Sequence, residues 1–260
     1  MSDHVVVERD GAVATVVLNR PAQHNAINAA MYRDLPGIVA GLDADPEVRV
    51  LVLRGAGTRA FASGADISEF EAERSDAVRA KAYNEKVAAA EQAIEGCTKP
   101  TVAMIHGYCI GGGAGLALSC DIRFADTAAS FAITPAKLGL VYSLESTRRM
   151  VDLVGPSRAK WVLMGGLRIP AARAAELGLF DEVVPTEELA ATTYDFAGTV
   201  CTRAQFSVRA AKVMVNRISA GQTVDDDESV RLRNSSFGTE DFAEGVRAFL
   251  EKRPPDFRWS

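Results

Sequence analysis

Two short glycine-bearing stretches carry the residue types from which a reaction site can be built. One is Phe61-Ala62-Ser63-Gly64-Ala65-Asp66-Ile67, and the other is Gly107-Tyr108-Cys109-Ile110-Gly111-Gly112-Gly113-Ala114-Gly115. Each follows an apolar run of strand character, residues 50–54 before the first and 101–106 before the second. A turn of small residues at a strand end presents backbone N–H groups with little side chain to shield them. Two such groups aimed at one point make an oxyanion hole. The second stretch leads into residues 116–120, expected to be helical, so the positive end of a helix dipole would add to its affinity for negative charge.

Other chemistries find less support. The four cysteines, Cys97, Cys109, Cys120 and Cys201, show no C-x-x-C spacing, and with three histidines in the chain no metal-ligand set is recognisable. The cysteines read as reduced core thiols. Residues Gly55-Ala56-Gly57-Thr58-Arg59-Ala60 fit a loose G-x-G-x-x-A dinucleotide pattern, but Phe61-Ala62-Ser63-Gly64 breaks the helix that such a fingerprint must open. A net charge of −5, with no Lys/Arg run longer than two, argues against nucleic acid as a partner. No apolar run reaches membrane-spanning length, and Met1-Ser2-Asp3-His4 leads directly into a strand pattern. A cytoplasmic protein with no membrane partner is the expectation.

The elements that must hold the two turns can be followed along the 260 residues, 48% of them apolar, which is enough for a sizeable core. Residues 5–7 and 13–18, around Arg9-Asp10-Gly11-Ala12, predict a β-hairpin. Asn28 is placed to cap a helix bearing Met31, Leu35, Ile38 and Leu42, in which Pro36 predicts a kink or a late start. Residues 76–95 predict a helix ended by Gly96 and Pro100, after a charged stretch, 69–75, expected to be mobile. From residue 101, strand-like runs (101–105, 122–124, 130–133, 182–184) alternate with short helices. Beyond about residue 195 only helices are predicted: one carrying Val208, Ala211, Val215 and Ile218, another over 223–233, and one carrying Phe242, Val246, Phe249 and Leu250. The chain divides into a core, 1–195, holding the site, and a helical region, 196–260, with too little core of its own.

Four motifs recur in register along almost the whole chain. They are Asn19-Arg20-Pro21 with Asn25-Ala26-Ile27-Asn28; Ser63-Gly64-Ala65-Asp66; Gly111-Gly112-Gly113; and Glu244-Gly245 with Ala248-Phe249-Leu250-Glu251-Lys252-Arg253. On these, the sequence resembles the crotonase (enoyl-CoA hydratase/isomerase) superfamily. The resemblance implies an α/β (α+β) fold: a spiral of β-β-α turns followed by a C-terminal helical trimerisation region. It implies a homotrimer or a dimer of trimers, and an acyl-CoA substrate with no cofactor beyond the coenzyme A of the thioester. The N–H groups of Ala65 and Gly112 would bind the thioester oxygen. His24, Ala26, Arg59, Ala62, Asp66, Ile67, Phe249 and Lys252 would contact coenzyme A. No metal is implied.

The departures from the family pattern carry the most information about the reaction. Hydratases of this kind place one glutamate two residues after the glycine triplet and another directly after a proline, where this chain has Gly115 and, after Pro135, Ala136. Residues 134–143, Thr134-Pro135-Ala136-Lys137-Leu138-Gly139-Leu140-Val141-Tyr142-Ser143, resemble instead the run of methylmalonyl-CoA decarboxylases, although those enzymes carry a histidine at the position of Ala65. Decarboxylation of a malonyl-type thioester needs an oxyanion hole but no base. It is therefore the leading expectation, with Tyr142 orienting the departing carboxylate. The alternatives are a hydratase or isomerase with a relocated acid, for which Glu145, Glu69 and Glu71 are candidates, and an acyl-CoA-binding protein without activity. His106 is expected to satisfy backbone, and Asp121 to cap a turn.

Overall fold

The structure, a computed structural model, describes residues 3–73 and 75–257. Strands β1 (Val5–Asp10) and β2 (Val13–Leu18) form the expected antiparallel hairpin, closed by Gly11 and Ala12. Helix α1 (Ala29–Ala44) follows, with the Asn28 side chain accepting from the Met31 N–H at 2.9 Å as its N-cap. The expected kink at Pro36 is corrected: α1 runs unbroken through the proline. Losing one intrahelical bond to proline costs about 3 kcal/mol. Burial of Met31, Leu35, Ile38, Val39 and Leu42, at roughly 1.5–3 kcal/mol each, outweighs it.

The chain then repeats one pattern. Strand β3 (Val50–Gly55) turns into the short β4 (Ala60–Ala62), which leads to α2 (Phe70–Glu73) and α3 (Ala77–Glu95). Strand β5 (Thr101–Ile105) turns into β6 (Tyr108–Ile110) and α4 (Gly112–Ser119), and β7 (Ile122–Asp126) into β8 (Ser130–Ala132), α5 (Pro135–Leu138) and α6 (Leu144–Gly165). After β9 (Ile169–Pro170), α7 (Ala171–Leu177) and β10 (Glu182–Val184), the rest is helical: α8 (Leu189–Cys201), α9 (Gln205–Ser219), α10 (Asp227–Ser235) and α11 (Glu240–Glu251). The longer strands, with the short β10 at one edge, form a sheet in the order β1-β2-β3-β5-β7-β10, parallel except for the hairpin. The short ones form a second sheet, β4-β6-β8-β9, with only β8–β9 antiparallel. This is the expected spiral of β-β-α turns.

The central strands of the large sheet, β2, β3, β5 and β7, are buried on both faces, which is why they read as continuous apolar runs. Along β3, Leu51 and Leu53 join the main core beneath α1, while Val50 and Val52 point to the other face with Leu189 and Ala197 of α8. The boundary drawn at residue 195 therefore falls inside α8, a helix packed on the sheet. Within the charged stretch 69–75, residues 70–73 form α2, and Arg74 lies outside the described residues. Glu69 accepts from the Ala29 N–H at 2.8 Å, and Glu73 pairs with Lys86 at 2.9 Å. Among the described residues no helix is long and apolar enough to cross a membrane, and no cluster of His, Cys, Asp or Glu could hold a metal ion.

Two devices hold the corners where the chain passes between sheets. Gly107 has φ +55°, and a Cβ there would strike the Arg59 carbonyl, so only glycine fits. Asn25 is 1% exposed. Its amide donates to the carbonyls of Ala56 (3.0 Å) and Ala60 (2.7 Å) and accepts from the Arg20 N–H (3.1 Å), tying the approach to α1 to the β3–β4 corner. Asn25→Ala strands these buried groups, and urea unfolding should register a loss of about 1–3 kcal/mol.

Candidate active site

Strands β4 and β6 are parallel neighbours, so the turns that leave them meet. On the first turn, Ile27 bridges Ala65 through the residues on either side: the Ile27 N–H donates to the Gly64 carbonyl (2.8 Å) and the Asp66 N–H to the Ile27 carbonyl (2.9 Å). In such a parallel bridge the N–H of the central residue points to the opposite edge. On the second turn, the Gly111 N–H is taken by the Ala132 carbonyl (2.8 Å), which leaves Gly112 to open α4. A methyl group placed on Gly112 would lie 3.6 Å from the Ala65 nitrogen and would strike the Tyr32 hydroxyl. Gly113 packs so closely on Ala62 that it has no room for a side chain either. The small residues of α4 are thus a condition of bringing the two turns together.

Both turns open into a cavity of about 420 Å³. Ile67 and Phe70, Val87 of α3, and Leu138, Leu140 and Tyr142 from the segment around α5 make its apolar wall. Among the described residues one carboxylate lines it, that of Glu91, which is 4% exposed. Glu91 Oε2 accepts from Arg149 Nη1 at 2.6 Å and from Ser146 Oγ at 2.7 Å. Arg149 is held on its other edge by Glu95, with Nη2 at 2.7 Å and Nε at 3.1 Å. Burial pushes the Glu91 carboxyl above its ordinary value, against the opposing pull of Ser146 and Arg149. A Cβ on Gly115 would collide with Glu91 Oε1.

Glu91 is the residue that sequence reasoning missed. The Ala/Glu/Lys-rich composition of 76–95 predicts a helix but singles out no residue on it. Tyr83, Val87 and Glu91 nevertheless recur at a spacing of four, with Ala90 and Ile94 beside them, which places the glutamate on the buried stripe. The candidate relocated acids lie outside the cavity lining: Glu145 is exposed and accepts from Gln92 Nε2 at 2.8 Å, Glu69 accepts from the Ala29 N–H at the start of α1, and Glu71 is exposed.

The other expected site residues separate into two groups. Ala65, Ile67, Gly112 and Tyr142 line the cavity together. His24 lies outside that lining and edge-on to Tyr108 (5.9 Å between ring centroids), whose face carries the Arg168 guanidinium at 4.8 Å. The Ala26 carbonyl accepts from Arg20 at 2.7 Å, and Arg59 is exposed. Ala62 is enclosed beneath Gly113, so its side chain is not open to a ligand. The Asp66 carboxylate is committed to Ser68 (2.6 Å) and Arg20 (2.8 Å), and the Ser68 hydroxyl, followed by Arg20, holds its carboxyl below the ordinary value. Phe249, 83% exposed, and Lys252 stand at the end of α11, away from this cavity. His106 is corrected: it pairs with the buried Asp126 carboxylate at 3.0 Å. Asp121 is bonded by Thr101 and by Lys212 (2.8 Å), so it ties α9 to the large sheet rather than only capping a turn.

A spiral α/β fold with paired strand-end turns beside an apolar cavity is the arrangement of an enzyme that can stabilise an oxyanion through backbone N–H groups. The chain belongs to the enoyl-CoA hydratase/isomerase family, whose pattern matches residues 8–259. It is 32% identical over 255 residues to a short-chain-enoyl-CoA hydratase of Clostridium acetobutylicum, covering 96% of both chains. To a crotonyl-CoA hydratase of Syntrophomonas wolfei it is 32% identical, covering 98% of both. Among solved structures, an enoyl-CoA hydratase/isomerase family protein from Hyphomonas neptunium superposes with a TM-score of 0.96 at 40% identity, over 99% of this chain and 98% of the other.

The contact between Gly112 and Tyr32 is directly testable. Gly112→Ala should destabilise the fold by about 1–3 kcal/mol through overpacking. Adding Tyr32→Phe removes the atom struck, so the double variant should be more stable than Gly112→Ala alone in thermal or urea unfolding.

Proposed function

We propose that the protein hydrates a 2-enoyl-CoA thioester through an enolate held by the N–H groups of Ala65 and Gly112. The observation that carries this reading is the convergence of those two residues at the mouth of an apolar cavity. The thioester oxygen would sit between them at the start of α4, where the helix dipole also favours developing negative charge. Each such donor contributes roughly 2.7–4 kcal/mol to lowering the barrier.

Hydration displaces decarboxylation as the favoured reaction for two reasons. The relatives named above are hydratases. Decarboxylation also calls for no base, whereas a carboxylate, that of Glu91, lines the cavity. A buried carboxylate would repel the substrate's own. The carboxylate-orienting role of Tyr142 belongs to that reaction, and for hydration Tyr142 serves as cavity wall. Migration of a double bond is the second reading. It is favoured by the presence of one carboxylate in the lining, since a single group can carry a proton from one carbon to another.

Coenzyme A would lie along His24, Ala26, Arg59 and Ile67, with backbone at Ala62 and Asp66, and no further cofactor is needed. Phe249 and Lys252 would meet it from a second copy of the chain, in a trimer or dimer of trimers. Exposed Val215 and Ile218 of α9, with Phe242, Phe249 and Leu250 of α11, supply the apolar surface for such an assembly. Sedimentation should give a mass in multiples of three chains, and a fully active monomer would reject this arrangement.

The wild-type protein should consume crotonyl-CoA, followed by loss of the conjugated enoyl absorbance, and release no CO₂ from methylmalonyl-CoA. Gly112→Pro, made with Tyr32→Phe to clear the hydroxyl, removes the N–H and should lower kcat by about 10²–10³-fold. A folded variant within tenfold of its Tyr32→Phe parent would remove Gly112 from the hole.

A further inference from the structure

The proposed reaction needs a group that takes a proton from water and returns one to carbon, and the family's two positions for it hold Gly115 and Ala136. We infer that Glu91, carried on α3, is the acid–base residue of this site, its Oε1 occupying the space over Gly115 where a side chain from α4 would otherwise stand. This assignment rests on the enolate reading above.

Three observations support it. Gly115 follows Gly112 by three residues on α4, so the two lie on one face with Cβ positions about 5–6 Å apart. A thioester whose oxygen is held at Gly112 would therefore carry its α and β carbons toward Gly115 and Glu91 Oε1. Second, the Glu91 carboxylate is braced through one oxygen: Ser146 and Arg149 both bind Oε2, which leaves Oε1 as the oxygen turned toward α4. Third, Arg149 is shared with Glu95, so the buried positive charge is already matched and does not require Glu91 alone.

The chemistry closes with this single group. As the water oxygen bonds to the β carbon, its proton passes to ionised Glu91 Oε1, and the π electrons move to the thioester oxygen as an enolate. The enolate then collapses and the α carbon takes the proton back from Glu91. Water has been added across the double bond, and the carboxylate is restored. Ser146 and Arg149 are positioning residues in this scheme. Among the described residues, the charged groups that act on Glu91 are Arg149 of α6 and Glu95 on its own helix, to which Arg148 is bonded; the tyrosines Tyr32 and Tyr142 line the same cavity.

The test is kinetic, with crotonyl-CoA hydration and with exchange of the α protons of butyryl-CoA in D₂O. Glu91→Gln, which keeps shape and hydrogen bonding, should lower both rates by about 10²–10⁴-fold and abolish the acidic limb of the pH dependence of kcat/KM. Ser146→Ala removes a donor to the ionised form, so that limb should move to higher pH. Gly115→Glu in the Glu91→Ala background should run at least about tenfold faster than Glu91→Ala alone, because the freed space admits a carboxylate from α4. Folded Glu91→Gln within tenfold of wild type overturns the assignment. Should that variant fail to fold, Ser146→Ala decides: an unmoved acidic limb overturns the assignment and an upward shift supports it. A wild-type protein that neither hydrates nor exchanges overturns the enolate reading and this assignment with it.

Discussion

Because β4 and β6 run parallel as hydrogen-bonded neighbours, the turns that leave their C-terminal ends must lie side by side. The pairing of Ala60 with Tyr108 and of Ala62 with Cys109 fixes the register, and the Ala65 and Gly112 backbones arrive together a few residues later. The approach is possible only because the residues at the contact are small. Gly113 sits against Ala62, and Gly107 turns beneath the Arg59 carbonyl where no Cβ can go. Backbone donors held by a sheet and a helix start need no reorganisation as charge develops, which is the physical basis of oxyanion stabilisation.

The same small residues shape what stands opposite. With no side chain at Gly115, α3 can bring a glutamate close to α4, and Glu91 fills the volume. Burying a carboxylate costs several kcal/mol unless it is paired and hydrogen-bonded. Here Arg149 and Ser146 supply both, and Glu95 balances the arginine from solvent's side. A charge network spanning α3 and α6 is therefore tied to the cavity wall. Its orientation depends on the packing of two helices rather than on one loop.

The C-terminal helices obey a different constraint. Residues of α9 are tethered to the sheet through Lys212, which reaches both Asp121 and the Lys99 carbonyl, and Glu244 of α11 pairs with Arg247 of the same helix and with Arg253 just beyond its end. The Lys212 ties position α9, while Val246, Phe249 and Leu250 of α11 stay outward and Phe242 packs edge-on against Phe237. The self-association proposed above would cover this outward apolar surface.

What the sequence determined by itself was whatever depends on short stretches. The hairpin at Asp10-Gly11, the Asn28 cap, the apolar strands and the two glycine turns are local consequences of residue type, while the spiral fold and the singling out of Ala65 and Gly112 came with the family resemblance that the four motifs carry. Pro36 misled because its local cost is overridden by a buried helix face, a tertiary effect. Glu91 was legible only as a polar residue on an otherwise apolar stripe of α3, which by itself says the residue is buried and not where it points. That α3 lies against Gly115, that Arg149 from α6 pairs with the glutamate, and that Glu145 faces elsewhere were decided by the packing of helices far apart in sequence. A side chain's address in space follows from the residue's neighbours in the fold, and those are set by long-range contacts that no window of sequence contains.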